Sequence, residues 1–392
     1  MLKNRDIICI STSDWAKPWG SKQSLMLKLS EFNRVLYVEY QSSFSDIVKY
    51  PGYFFGRLGK INKLRRINDN LYVYTPILLF PFGYYSLFIN RINQRLLRIM
   101  LFGLLKRLRF RDFILWIYPP CSSYLIDRMG EAATVYHCIA AFAKEKKSYL
   151  RKKTINTLER RLVRKSQWIL ALTKELYKTF KQYNRNTFYF PSAVDMEYFE
   201  KVKNMDVAEP EDISFIKKPR IGVIGYLDSS ILDMELLNCV ARANKEWSIV
   251  MVGPVFRNAK SLYKLKENKN VYFIGEKNPQ SIPLCIKYLD ICLIPYLKNE
   301  FSEQVSSLKL YEYLAMGKPV VSTYFSKELD EYKSVIGMAE SNERFVELIR
   351  KFLIKDERED INRRVELARK NSWQRRLDFL FSKSEKITEE KL

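Results

Sequence analysis

Two apolar patterns alternate along this 392-residue chain. Short apolar runs of the kind buried on both faces of a sheet recur at Ile7–Ile10, Val35–Glu39, Leu71–Tyr74, Phe113–Tyr118, Ala133–Cys138, Trp168–Thr173 and Phe188–Phe190. Between several of them lie stretches whose apolar residues recur at helical spacing, as Leu25, Leu29 and Phe32 do in Ser21–Phe32. The alternation resumes at Arg220–Tyr226 and continues through Trp247–Val252, Asn270–Glu276, Ile291–Tyr296 and Pro319–Val321, with helices predicted at Leu232–Ala243 and Pro283–Tyr288. Strands alternating with helices at this spacing predict an α/β protein with two doubly wound parallel sheets. Residues 201–219 are charged, hold two prolines and lack an apolar period, which predicts a linker between a domain at 1–200 and one at 220–370. Glu343–Phe381 reads as helical, and the charged residues from Ser382 on read as frayed.

The most informative stretch is Ser306–Thr323, SSLKLYEYLAMGKPVVST. Leu308, Tyr311, Leu314 and Ala315 share one helical face, and Gly317 can take the left-handed turn that ends the helix. Pro319–Val321 then enters a strand. Strand, loop and helix N-terminus is where α/β proteins bind anions, so Ser306 and Ser307 become candidate donors. Lys309 and Glu312 lie three apart on one face. The cation suits a phosphate and the carboxylate suits ribose hydroxyls. Spacing alone also fits an ordinary βαβ unit with two surface charges.

The residues of this stretch carry a resemblance. Leu308-Lys309, Glu312-Tyr313-Leu314-Ala315 and Gly317-Lys318-Pro319-Val320-Val321 resemble the sugar-nucleotide signature of GT-B glycosyltransferases, in particular the bacterial group 1 type of exopolysaccharide and teichuronic acid biosynthesis. The resemblance implies two Rossmann-like domains facing across a cleft. It implies a nucleotide-sugar donor, UDP-linked, on the second domain and an acceptor on the first. Gly225 and Tyr226, in RIGVIGY, correspond to the glycine turn that faces the donor diphosphate. Gly275 and Glu276 correspond to the segment that reads the base. Asn371-Ser372-Trp373-x-x-Arg376 resembles the final element, whose helix crosses back to the first domain, so residues 371–392 are expected to form that helix and tail. Relatives need no bound metal and no cofactor beyond the donor substrate.

Departures from the pattern matter as much. Relatives follow the glycine turn with Arg and Lys, where this chain has Leu227-Asp228-Ser229-Ser230, which leaves Lys309 as the main cation for the diphosphate. The first-domain motif Tyr-Asp-Cys-Val-Asp-Asp-Phe reads Tyr136-His137-Cys138-Ile139-Ala140-Ala141-Phe142 here. His137 is the only histidine in the chain and stands at the first acidic position. It is the candidate base and acceptor contact, active near neutral pH, with Glu145 and Asp14 as further candidates. Asp14 and Trp15, in the loop after the first strand, are candidate acceptor contacts. Gln304 replaces a glutamate that many retaining relatives carry, so stereochemistry is left open. The two alanines keep a second class in view, a catalytically inactive GT-B-fold scaffold of a polysaccharide assembly complex.

Charge adds a partner. The chain is net +23, and the excess is one-sided: residues 1–200 hold 34 Lys/Arg against 15 Asp/Glu, and the rest hold 33 against 29. An anionic partner for the first half follows. Residues 91–111 alternate arginines and lysines with leucines beside an aromatic run at 77–88, the pattern of a helix lying in a membrane interface. The expected acceptor is a saccharide or polyprenyl-pyrophosphate-linked saccharide at an anionic membrane surface. Nucleic acid is not expected, because no basic recognition motif with interleaved aromatics is present. Six cysteines without CxxC spacing, and a single histidine, leave no metal-ligand cluster and predict reduced thiols. With no signal peptide or membrane span evident, the expected location is cytoplasmic, peripheral at the inner face of the plasma membrane.

Overall fold

The structure is a computed structural model that describes residues 2–16, 19–44, 51–77, 79–142, 148–255, 259–300, 302–304 and 308–389. The chain divides into two compact units. The first comprises residues up to Pro191 together with those from Leu377 on, and the second is Ser192–Arg376.

The first unit is built on eight strands: β1 Asp6–Ile10, β2 Arg34–Val38, β3 Leu64–Arg66, β4 Leu71–Tyr74, β5 Ile114–Ile117, β6 Ala133–Cys138, β7 Trp168–Ala171 and β8 Thr187–Tyr189. Their order is β3-β4-β2-β1-β5-β6-β7-β8. All neighbours pair in parallel except β3, which runs antiparallel to β4. The short β3 caps an edge and carries two arginines, a common way to keep an edge from pairing further. The 22-residue helix Leu87–Leu108 buries Leu97, Leu101 and Leu105 in the core below the sheet. The Ser86 hydroxyl caps it by accepting the Ile89 N–H at 3.4 Å, and Arg109 ends it in the left-handed region at φ 54°.

The second unit has six strands: β9 Arg220–Ile224, β10 Ser248–Val252, β11 Val271–Gly275, β12 Ile291–Ile294, β13 Val320–Thr323 and β14 Gly337–Ala339. Their order is β11-β10-β9-β12-β13-β14, all parallel. Both faces are covered, so alternate residues enter two cores. Val250, Val252, Cys292 and Ile294 lie in one, and Ile249, Met251, Ile291 and Leu293 in the other. That is why these strands read as unbroken apolar runs rather than alternating ones.

Residues 201–219, expected to be a linker, fold as part of the second unit. They hold the end of helix Met196–Asn204 and the short helix Glu211–Ser214, and Val202, Ile213 and Ile216 are buried. These three are scattered among charged and exposed residues, Phe215 included, so no period betrays them. The Arg220 guanidinium fixes the segment by donating to the Ile216 carbonyl at 2.7 Å and pairing with Glu209 at 2.8 Å. The last helix, Trp373–Glu389, starts in the second unit, where the Trp373 N–H donates to the Val194 carbonyl at 3.0 Å. It ends in the first, where Phe379 packs edge-on to Phe188 and Phe381 to Phe32.

Candidate functional site

In the second unit the strand order reverses at β9, whose neighbours are β10 and β12. At such a reversal the connections leave neighbouring strands toward opposite faces, and α/β sheets bind ligands beyond the carboxyl ends of those strands. Pairing between β9 and β12 stops after Cys292 with Gly222. Beyond that point the Ile224 N–H donates to the Tyr313 hydroxyl at 3.0 Å. Tyr313 is fully buried, so the second tyrosine of LYEYLA serves to hold the strand end open.

Three glycines meet at this edge of the sheet. Gly225, Gly253 and Gly275 close β9, β10 and β11, with φ of +144°, +141° and +77°. The Gly225 N–H donates to the Val252 carbonyl at 2.9 Å, and the Gly253 N–H to the Gly275 carbonyl at 2.8 Å. A Cβ on Gly253 would stand 1.8 Å from the Gly225 carbonyl oxygen, which no side chain tolerates. Sequence reasoning singled out Gly225 and Gly275 and passed over Gly253. Its signal was present, a glycine directly after a buried strand.

Helix Leu308–Ala315 brings the charged pair to the same place. Lys309 Nζ lies 2.6 Å from Glu312 Oε2, and a Cβ on Gly225 would be 3.9 Å from Lys309 Cε. Both side chains are mostly buried, at 22% and 13% exposure, so each neutralises the other in a poorly solvated site. Leu310, Tyr311, Leu314 and Ala315 are buried, while Leu308, expected on that face, is half-buried at the helix start. Gly317 ends the helix at φ +74°, as its sequence position required. Tyr226 and Glu276 sit close enough that the Glu276 carboxylate adds to the burial that pushes the Tyr226 phenol up. Gly275 and Glu276 are exposed. Ser306, Ser307 and Glu145 lie outside the described residues.

The expected acceptor residues are all in the first unit, at or near the carboxyl edge of its sheet, and each is committed to packing. Asp14 pairs with Arg57 at 3.3 Å. Trp15 is buried edge-on against Trp19 and Tyr37, and its backbone N–H donates to Glu39 Oε1 at 2.9 Å. His137 is 4% exposed, tilted against Tyr118 at 4.8 Å and edge-on to Trp116 and Phe190. Burial, and secondarily the charge of Lys22, push the imidazole down to about 3. The expectation of a base active near neutral pH therefore meets a side chain that is closed in by rings, in surroundings that disfavour its charged form. An aromatic box of this kind is assembled from four strands and loops and leaves no local signature. The residue that sequence reasoning missed on this edge is Lys22. Its ammonium donates to the Thr12 hydroxyl at 2.7 Å, and burial lowers it to about 8.

No helix among the described residues is long and apolar enough to cross a membrane. No group of three or more metal-ligating side chains occurs among them.

Comparison with known proteins agrees with this geometry. Residues 218–354 match the family model for glycosyl transferases group 1. TuaH of Bacillus subtilis (strain 168), named as a teichuronic acid biosynthesis glycosyltransferase, is 28% identical over 183 residues. That match spans 45% of this chain and 45% of TuaH. Solved structures match over far more of the chain. A trehalose-6-phosphate enzyme of E. coli bound with UDP-2-fluoro glucose has a TM-score of 0.70 at 12% identity, covering 96% of this chain and 98% of its own. Anabaena Alr3699/HepE in complex with UDP and glucose has a TM-score of 0.65 at 13% identity, covering 97% and 99%. Sucrose-phosphate synthase of Thermosynechococcus elongatus has a TM-score of 0.68 at 10% identity, covering 98% and 99%. The chain has the GT-B fold, and residues 218–354 of its second unit match the group 1 glycosyl transferase family model.

Proposed function

We propose that this protein is a glycosyltransferase that moves a sugar from a nucleotide-sugar to a saccharide or lipid-linked saccharide in cell-surface polysaccharide biosynthesis. The observation that carries the reading is the Lys309–Glu312 pair set beside the Gly225 turn at the strand-order reversal. The pair has a second use once a donor enters. Lys309 turns its ammonium to the diphosphate and offsets the charge that grows as the bond to the anomeric carbon breaks. Glu312, released, accepts hydrogen bonds from the ribose hydroxyls. Gly225, without a side chain, lets the pyrophosphate approach the backbone. Uridine is the proposed base, supported by the UDP and UDP-sugar complexes among proteins of the same fold.

The acceptor reading rests on the first unit. Phe88, Arg91, Arg95, Ile99, Phe102 and Lys106 follow one another at steps of three and four along helix Leu87–Leu108, and all are exposed. Phe88 is 71% and Ile99 61% exposed, next to arginines rather than under a covering element. An apolar stripe laced with cations suits an anionic lipid surface, so the acceptor is proposed to be presented at a membrane. A binding protein without turnover is the second reading, favoured by Ala140, Ala141 and the buried His137.

Titration calorimetry with UDP, GDP, ADP and UDP-sugars tests the donor site. UDP is expected to bind selectively, and Lys309→Ala and Glu312→Ala to weaken it by about tenfold or more each. Folded protein that binds no nucleotide would overturn the transferase reading. Binding of a UDP-sugar without turnover on any lipid-linked acceptor would favour the second.

A further inference from the structure

A cavity at the start of helix Leu87–Leu108 has no part in the transfer chemistry. It encloses about 100 Å³ between the segment after β2, the turn Phe80–Tyr85, the first turns of the helix, Cys121 and Arg151. That is the room of roughly three waters, enough for a small polyol and too little for an oligosaccharide.

Its wall holds acceptors that the fold does not use. Asn90 and Gln94, one helical turn apart, are both 2% exposed. Asn90 Oδ1 and Gln94 Oε1 have no hydrogen-bond partner among the described residues. Their orientation is set by neighbours: Gln94 Nε2 donates to Gln41 Oε1 at 2.9 Å, and Gln41 Nε2 donates to the Ser122 hydroxyl at 2.9 Å. The nearby Asn93 is fully engaged with the Phe80 N–H and carbonyl, both at 2.9 Å. Two buried oxygens without donors are costly and ask for hydroxyl groups. A cation stands at the same wall, where the Arg151 guanidinium lies over the Tyr84 ring at 4.9 Å and near that of Tyr85 at 5.9 Å. A guanidinium at this wall offers the forked donor geometry that suits a phosphate. The rim is aromatic and open: Phe80 and Phe82, the latter 62% exposed, lead directly into the stripe that begins at Phe88.

We infer that this cavity receives the head of an anionic phospholipid whose head is a phosphorylated polyol of glycerol size. The polyol hydroxyls donate to Asn90 Oδ1 and Gln94 Oε1, Arg151 takes the phosphate, and Phe82 and Phe88 enter the acyl region. The inference rests on the membrane reading of the helix and adds selection of one head to it.

The full chain is sedimented with phosphatidylcholine vesicles carrying equal fractions of phosphatidylglycerol or phosphatidylserine. The expected result is about tenfold tighter binding to phosphatidylglycerol, a preference that Asn90→Ala and Arg151→Gln remove while charge-dependent binding to both vesicles persists. Phe88→Asp is expected to weaken both equally. Equal binding of the unaltered protein to the two lipids, or a preference that both variants retain, overturns the head-group site and leaves the membrane reading standing. No binding to either vesicle overturns both. Calorimetry with soluble glycerol 3-phosphate separates the source: micromolar binding without any vesicle preference would assign the cavity to a free metabolite and overturn the lipid.

Discussion

Residue identity decides most where a group is buried away from water. His137 shows this in its titration. Its folded value near 3 lies below the ordinary value of about 6.5, so between these pH values the unfolded chain binds a proton that the folded chain does not. The stability held above pH 6.5 is therefore lost as pH falls toward 3. A pH series of melting temperatures should drop over this window, and His137→Phe, which keeps an aromatic ring in the box, should drop less. An equal slope in both proteins would mean that other groups carry the acid sensitivity. Tyr313 shows the same principle for a hydroxyl. Its place in the signature is legible from sequence, but its role as the partner of the Ile224 N–H belongs to the fold.

Elements set the proposed donor site by how their ends meet. The carboxyl ends of β9, β10 and β11 approach so closely that only hydrogen at Gly253 fits. Gly253→Ala is expected to cost several kcal/mol, about the range of strained or overpacked sites, and to abolish UDP binding if the protein folds. Unchanged affinity would show that these glycines do not shape the pocket. Helix Leu308–Ala315 is held from behind by helix Arg358–Lys370. The buried Arg364 donates to the Gly317 carbonyl at 3.0 Å and pairs with Asp356 at 2.6 Å. Asp356→Ala strands that guanidinium, and urea unfolding should show a loss of roughly 3–5 kcal/mol. A loss under 1 kcal/mol would mean that the arginine finds water instead.

At the scale of the whole molecule, charge is the dominant property. The net +23 is concentrated before residue 200, and the outward stripe of helix Leu87–Leu108 gives it an apolar anchor. Binding to phosphatidylglycerol vesicles should fall as salt rises, because exposed cations are screened within about 8 Å at 0.15 M. It should not vanish, because Phe88, Ile99 and Phe102 contribute apolar burial that salt does not weaken. Binding that disappears entirely in 0.5 M salt would reduce the stripe to charge alone.

The sequence by itself determined much of this protein. Strands buried on both faces read as apolar runs, so the parallel sheets were legible before any coordinates. The signature helix was legible as well, because Lys309, Glu312 and Gly317 owe their places to spacing within one helix and its terminus. Local periodicity carries such information, since neighbours along a helix are neighbours in space. What the tertiary structure alone decided is everything made by residues distant in sequence. The segment 201–219 reads as a linker because its apolar residues are few and set among charges, and only packing shows that Val202, Ile213 and Ile216 are core residues while Phe215 stays exposed. Lys22 and Thr12 meet at a strand end, and His137 becomes a weak base because Tyr118, Trp116 and Phe190 close around it. Asn90 and Gln94 look like ordinary polar positions on a helix, and become unpartnered acceptors only when loops from three other strands wall them in. Desolvation depends on the whole surround, and no window of sequence contains it.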